Sequence, residues 1–364
     1  MWLRRLLAMV GGAAAGMLLA ASRPRPDTAS PTMPEPPGGL PSARIVTVPG
    51  RGEMFVRDAP GPPGTDAPTI LLLHGWLYPA DLTWFGCYEA LARHGRLLAP
   101  DHRGHGRGLR PSTPFRLADV ADDVAALLRH LGTPPVIAVG YSMGGPVAQL
   151  LWQRHPDVVA GLVLCATGAG FATRAYDRLL WSGMGLLQLL LRLFPRHWWQ
   201  RLLELQARGA PLRLSGVASK EAPPTVRALL PWVISELDRG SAEDVAEAGR
   251  ELGRYDARGW LPTVDVPSAV VITGRDRLVP VGNQRELAGL MPDALVVEVP
   301  LDHDAVVAGA RRFVPTLVRA VADVAARVKV DGPTPPGPPG SRPTPPDPPG
   351  SRPTPPDPPQ PRHV

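Results

Sequence analysis

A succession of short apolar runs, TILLLHG, RLLAPD, PPVIAVG, VVAGLVLCA, PSAVVITG and ALVVEVP, most constrains what this chain can fold into. A strand with one face in water alternates apolar and polar residues. Several of these runs do not alternate, so both of their faces must be covered. Helical patterns lie between them, over Asp81–Arg93, Leu117–Leu131, Pro146–Arg154 and Asp304–Lys329. Glycine or aspartate closes four of the six runs, which is ordinary strand-to-helix loop chemistry. Two earlier patterns, ARIVTV and EMFVRD, read as an opening pair of strands. The chain is therefore expected to be α/β, a mostly parallel sheet covered by helices, with an antiparallel start. One interval breaks the rhythm. Between Phe171 and Pro262 only helical patterns occur, over a length no ordinary loop reaches, and this predicts an inserted helical cap above the carboxyl edge of the sheet.

Both ends lie outside that scheme. Residues 1–22 place Arg4 and Arg5 before an apolar stretch from Leu6 to Ala21, the layout of a secretory signal peptide or an uncleaved signal-anchor. Either predicts an exported or membrane-anchored protein whose folded body lies outside the cytoplasm. A proline-rich linker over 23–41 follows, and the body is divided into 42–170, the cap at 171–262, and 263–330. The tail, 331–364, contains two copies of GSRPTPPDPP and almost no apolar side chain. Such a segment cannot offset its ordering entropy with a core, so it is expected to be disordered and polyproline-like, either a spacer or a ligand for an unknown protein partner.

The formal charge of +6 comes almost wholly from arginine, since Lys220 and Lys329 are the only lysines. The arginines are scattered, without the basic and aromatic stripe that nucleic acid binding requires. The two cysteines, Cys87 and Cys165, sit in apolar settings and read as buried structural residues. Neither HExxH nor paired CxxC occurs, and His102 and His105 lack the carboxylate or cysteine partners of a metal site. The sequence calls for no metal and no cofactor.

In sheets of this kind ligands bind beyond the carboxyl ends of the strands. Those ends carry His74-Gly75-Trp76, then Gly140-Tyr141-Ser142-Met143-Gly144, then Gly274-Arg275-Asp276, and finally Leu301-Asp302-His303. On these residues the chain resembles the α/β-hydrolase superfamily. The segment Gly140-x-Ser142-x-Gly144 matches its nucleophile elbow, and the order Ser142, Asp276, His303 matches its order of nucleophile, acid and base. The resemblance implies an α/β-hydrolase sheet, a catalytic triad of those three residues, and an oxyanion hole made by the backbone N–H groups of Trp76 and Met143. His74 is expected to be a structural loop residue, and DHRGHGRG resembles another turn of the family. His303 departs from the pattern, because Asp302 and Asp304 flank it where glycine commonly precedes the histidine. Either neighbour could raise its pKa or take over the acid's role, while a surface or capping role is the ordinary expectation for Asp304.

The nucleophile narrows the chemistry. Dehalogenases and soluble epoxide hydrolases of the fold carry aspartate at the elbow, and HGWLYPA lacks the oxyanion-loop pattern of the proline iminopeptidases. What the resemblance implies is a serine hydrolase of carboxylic esters acting through an acyl-enzyme. Within the cap, Leu179 to Phe194 is apolar almost all round, which suits either a core helix or a channel for lipophilic esters. An acyltransferase or perhydrolase with the same triad, and a non-catalytic scaffold acting through its proline-rich tail, are the alternatives.

Overall fold

A computed structural model describes residues 36–64, 67–171, 228–240 and 242–331. The leader, most of the first linker, the proline-rich tail and residues 172–227 of the expected cap lie outside them. Eight strands form one sheet: β1 (Ser42–Val48), β2 (Gly52–Ala59), β3 (Ile70–Leu73), β4 (Leu97–Pro100), β5 (Val136–Tyr141), β6 (Val159–Cys165), β7 (Ser268–Thr273) and β8 (Leu295–Val299). Their order is β1-β2-β4-β3-β5-β6-β7-β8. The first two pairings, β1 with β2 and β2 with β4, are antiparallel, and all later ones are parallel.

Strands β3, β4, β5 and β7 are buried along their whole length and β6 at every residue but Ala160, the reason they carry continuous apolar runs. The pleat sends alternate side chains to two separate cores. Leu71, Leu73, Leu98 and Ala138 join one of them, beneath α3 (Leu117–His130), α4 (Gly144–Arg154) and α7 (Val281–Leu290). Ile70, Leu72, Ile137 and Val139 join the other, beneath α1 (Ala80–Trp84), α2 (Tyr88–Ala92) and α8 (Ala310–Asp331). Each fully buried leucine contributes on the order of 2 kcal/mol by leaving water, which makes a one-residue slip in strand register prohibitive.

Three helices differ from the sequence expectation. The pattern over Asp81–Arg93 forms two short helices, because the ladder breaks around Gly86 and the Cys87 N–H reaches back only to the Trp84 carbonyl. The last helix begins at Ala310 rather than Asp304, since residues 303–309 form successive turns. Asp304 is thus not the cap of that helix. Helix α7 was not expected at all. Its buried positions include the polar Asn283 and Gln284, which removes the apolar stripe that marks a helix in sequence.

Within the interval between β6 and β7, the described residues hold two α-helices, α5 (Leu230–Asp238) and α6 (Ala242–Arg254), and a short 3-10 turn at Leu261–Thr263. Among the described residues no helix is long and apolar enough to cross a membrane. Both cysteines are free and fully buried, and burial pushes the Cys87 thiol up to about 12.

Candidate active site

The sheet order creates the crevice. From β3 the chain turns toward β4, whereas from β5 it turns the other way toward β6, so the loops after β3 and β5 diverge and leave a gap at the carboxyl edge. Ser142 stands directly after β5 with φ of 53°, a left-handed conformation that few residues other than glycine adopt. Three contacts hold it there. Its N–H donates to the Cys165 carbonyl at 3.0 Å, and its own carbonyl accepts from the Gly145 N–H at 2.9 Å and the Thr167 hydroxyl at 2.8 Å. The flanking glycines are required by close approach. A Cβ on Gly140 would lie 2.3 Å from the Gly144 carbonyl oxygen, and one on Gly144 would lie 2.0 Å from the Leu73 carbonyl oxygen. Any side chain at either position would push the elbow off the sheet.

Residues 276 and 303 come to Ser142 from the ends of β7 and β8. The Ser142 Oγ lies 3.0 Å from His303 Nε2, and His303 Nδ1 lies 2.8 Å from Asp276 Oδ2. A carboxylate only accepts, so Nδ1 carries the proton and Nε2 is left to accept from the serine hydroxyl. Asp276 is locked in place. Its Oδ1 accepts from the Leu278 and Val279 N–H groups, and its Oδ2 also accepts from the Thr273 hydroxyl at 2.7 Å and Gln284 Nε2 at 3.0 Å. Buried Gln284 spends its oxygen on the Thr273 N–H, so neither group is left unsatisfied.

The two aspartates beside His303 lie elsewhere. Asp302 accepts from the Arg277 guanidinium at 2.7 Å, the Arg277 N–H at 3.0 Å and the His303 backbone N–H at 2.8 Å. Partial burial pulls its pKa upward, but these hydrogen bonds and the Arg277 charge hold it below the usual carboxylate range. Burial, helped by the Asp302 charge, raises Asp304. It is Asp276 that meets the imidazole.

Gly75 lies beside Ser142 on the β3 side, where a Cβ would meet Ser142 Cβ at 3.5 Å. Trp76 follows Gly75 in the chain, and Met143 follows Ser142. Met143 opens helix α4, where the leading N–H groups have no partner within the helix. The Trp76 indole N–H donates to the Val245 carbonyl of α6 at 2.6 Å. Two further contacts join α6 and α5 to the β4 loop: the Phe115 N–H donates to Glu247 at 2.8 Å, and buried Glu236 of α5 forms an ion pair with Arg107 at 3.1 Å. Helices α5 and α6 thus rest on the loops that line the crevice.

His74 stands outside the hydrogen-bond line from Ser142 through His303 to Asp276. Its Nε2 accepts from the His102 N–H at 2.8 Å, so its proton sits on Nδ1 and goes to the Gly75 carbonyl. His102 stacks on it at 3.8 Å, with His105 tilted alongside at 5.5 Å. Among the described residues, no group of three or more His, Cys, Asp or Glu side chains is arranged to hold a metal ion. Burial lowers His74 to about 4 and His105 to about 3, and His102 is depressed as well. The unfolded chain binds protons on these residues near the ordinary value of 6.5. Stability supplied by the neutral trio is thus complete above about 6.5 and declines as pH falls toward 3 to 4. The thermal midpoint should drop steadily from pH 6.5 to 4, with a shallower slope in His105→Phe. Scanning calorimetry across that range checks it, and a flat midpoint would contradict the burial argument.

A profile of the alpha/beta hydrolase fold family matches residues 68–310, which spans the sheet from before β3 to the start of α8. The chain belongs to the alpha/beta hydrolase family. It is 31% identical over 236 residues to a pimeloyl-[acyl-carrier protein] methyl ester esterase of Chromobacterium violaceum, covering 64% of this chain and 85% of that one. Among solved structures, the enol-lactonase from Burkholderia xenovorans LB400 shares the fold with a TM-score of 0.61 at 24% identity, covering 77% of this chain and all of its own. An esterase from Exiguobacterium antarcticum aligns with the same TM-score at 19% identity, over 78% of this chain and all of its own. The family match and the Chromobacterium violaceum relative support a hydrolase in general terms, and the two solved structures show the shared fold.

In this alpha/beta hydrolase, sequence reasoning missed Thr273 and Gln284, which fix Asp276, and Tyr141, which reaches the His303 backbone. Gln284 lies on the unexpected helix α7. The available signal was the helix-length stretch Val281–Leu290 between two strand patterns, which the expected elements left unassigned.

Proposed function

We propose that this protein is a serine hydrolase of carboxylic esters, with Ser142 as nucleophile, His303 as base and Asp276 as the acid that orients it. The observation that carries this reading is the unbroken hydrogen-bond line from Ser142 Oγ through both ring nitrogens of His303 to Asp276. The Ser142 oxygen attacks the acyl carbon while its proton passes to His303 Nε2. Nδ1–H stays bonded to the Asp276 carboxylate, which stabilises the imidazolium. Negative charge on the former carbonyl oxygen is met by the backbone N–H groups of Trp76 and Met143, the latter at a helix N-terminus whose dipole favours anions. The tetrahedral species collapses, and Nε2–H protonates the departing alkoxide. Water then repeats the cycle on the acyl-enzyme, with His303 again as base.

The ester class draws support from the methyl ester esterase relative. A lipophilic acyl group draws support from the apolar segment Leu179–Phe194, which lies outside the described residues. A series of p-nitrophenyl esters from two to twelve carbons tests both points. kcat/KM should rise about tenfold for every two methylene groups over the first part of the series, since each buried CH₂ is worth about 0.8 kcal/mol. A series that is flat or falls from the shortest ester onward refutes the lipophilic preference, and no turnover of any ester refutes the class.

We also propose that residues 1–22 carry the protein out of the cytoplasm or anchor it in the membrane, on the strength of Arg4 and Arg5 before the apolar stretch. Fractionation should find the protein in the envelope or the medium. Full-length protein confined to the soluble cytosol excludes both routes.

A further inference from the structure

Among the described residues, the His303 backbone is held by side chains alone. It sits in the run of turns between β8 and α8, with no sheet ladder or helix to fix it. Its N–H is taken by Asp302 at 2.8 Å, and its carbonyl accepts the Tyr141 hydroxyl at 2.5 Å. Tyr141 is itself the residue immediately before Ser142. Its backbone pairs with Cys165 in the sheet, and its ring is wedged edge-on between Trp84 at 6.1 Å and Phe313 at 5.6 Å. It is almost fully buried, and burial together with the nearby Asp276 charge raises its pKa well above the ordinary tyrosine value, so it remains a donor.

We propose that Tyr141 is a positioning residue: its hydroxyl ties the turn bearing His303 to the nucleophile elbow and so sets the distance between Nε2 and Ser142 Oγ. This rests on the reading of Ser142 and His303 given above. The physical need is specific. Residues 142 and 303 are brought together by strands separated by β6 and β7, and the imidazole must stay aligned while it gains and loses a proton. Asp276 restrains the far side of the ring only. A group rooted in the elbow and bonded to the histidine's own carbonyl makes any shift of the nucleophile carry the base with it. Phenylalanine would fill the same cavity, keep both ring contacts and lose only this link.

The test compares wild type, Tyr141→Phe and Leu317→Ala on one short p-nitrophenyl ester and with a fluorophosphonate. Leu317 is a fully buried core residue of α8 whose truncation lowers stability without removing the hydroxyl bond. Tyr141→Phe should lower kcat and the rate of fluorophosphonate inactivation together, by about tenfold to a hundredfold, with KM within about twofold, as misplacement of a reacting group predicts. Leu317→Ala should lower the thermal midpoint at least as much and leave the inactivation rate near wild type. In a His303→Ala background the Tyr141→Phe change should have no further effect. Wild-type rates in Tyr141→Phe overturn the proposal, as does an equal rate loss in Leu317→Ala or an undiminished effect in the His303→Ala background. If wild type is not labelled at Ser142, the parent reading has failed instead, and the two failures are told apart by that control.

Discussion

Ser142→Ala is expected to lower kcat on a simple ester by about 10⁴-fold or more, with His303→Ala losing a similar amount and the double variant little worse than either. The expectation follows from a shared step. The hydroxyl is a poor nucleophile until Nε2, 3.0 Å away, takes its proton, so removing either partner removes the same event. Both variants should fold. Ser142 holds its unusual backbone through bonds from its N–H and carbonyl, which alanine retains, although the positive φ is strained for alanine as it is for serine. The residual rate in each should come from carbonyl polarisation at the crevice. Substrate turnover in purified variants checks this, with circular dichroism to show the fold. Activity within tenfold of wild type in either variant would remove that residue from the reaction.

The second large effect separates three aspartates. Asp276→Asn should lower kcat by about 10⁴-fold, because an amide in that place can present a donor to Nδ1 and favour the tautomer that blocks the serine proton. Its neighbourhood amplifies the change. The two N–H groups, the Thr273 hydroxyl and the Gln284 amide all donate to this carboxylate, so an asparagine NH₂ must face at least one donor with no acceptor. Asp302→Asn and Asp304→Asn should each lose about tenfold at most, since neither side chain meets the imidazole ring. The three variants assayed side by side decide the assignment. A full-sized loss in Asp302→Asn with Asp276→Asn active would transfer the acid's role to Asp302.

Much of this was legible in the sequence for a simple reason. Strands covered on both faces must be apolar throughout, and TILLLHG, PPVIAVG and PSAVVITG advertise that directly. Once the strands are placed, the topology carries their carboxyl ends to one edge, so residues far apart in sequence, such as 142, 276 and 303, become candidates for one site. The illegible parts depended on pairings the linear chain does not show. Helix α7 hides because Asn283 and Gln284 are buried for hydrogen bonding rather than for apolar contact. The delayed start of α8 reflects the turn run 303–309, where Tyr141 and Asp302, rather than helical bonds, satisfy the His303 backbone. The choice between Asp276 and Asp302 could not be read from spacing either. It turns on Arg277, whose guanidinium occupies Asp302 and leaves the imidazole to Asp276.

The central claim is that Ser142 is the nucleophile, and covalent capture tests it most directly. Purified protein treated with a fluorophosphonate, digested and mapped by mass spectrometry should carry a single adduct on the peptide containing Ser142, with ester turnover lost in proportion to labelling. Adduct formation should vanish in Ser142→Ala and slow by several orders of magnitude in His303→Ala. An adduct on another residue that tracks the loss of turnover, or full ester turnover in protein that resists labelling, would contradict the claim.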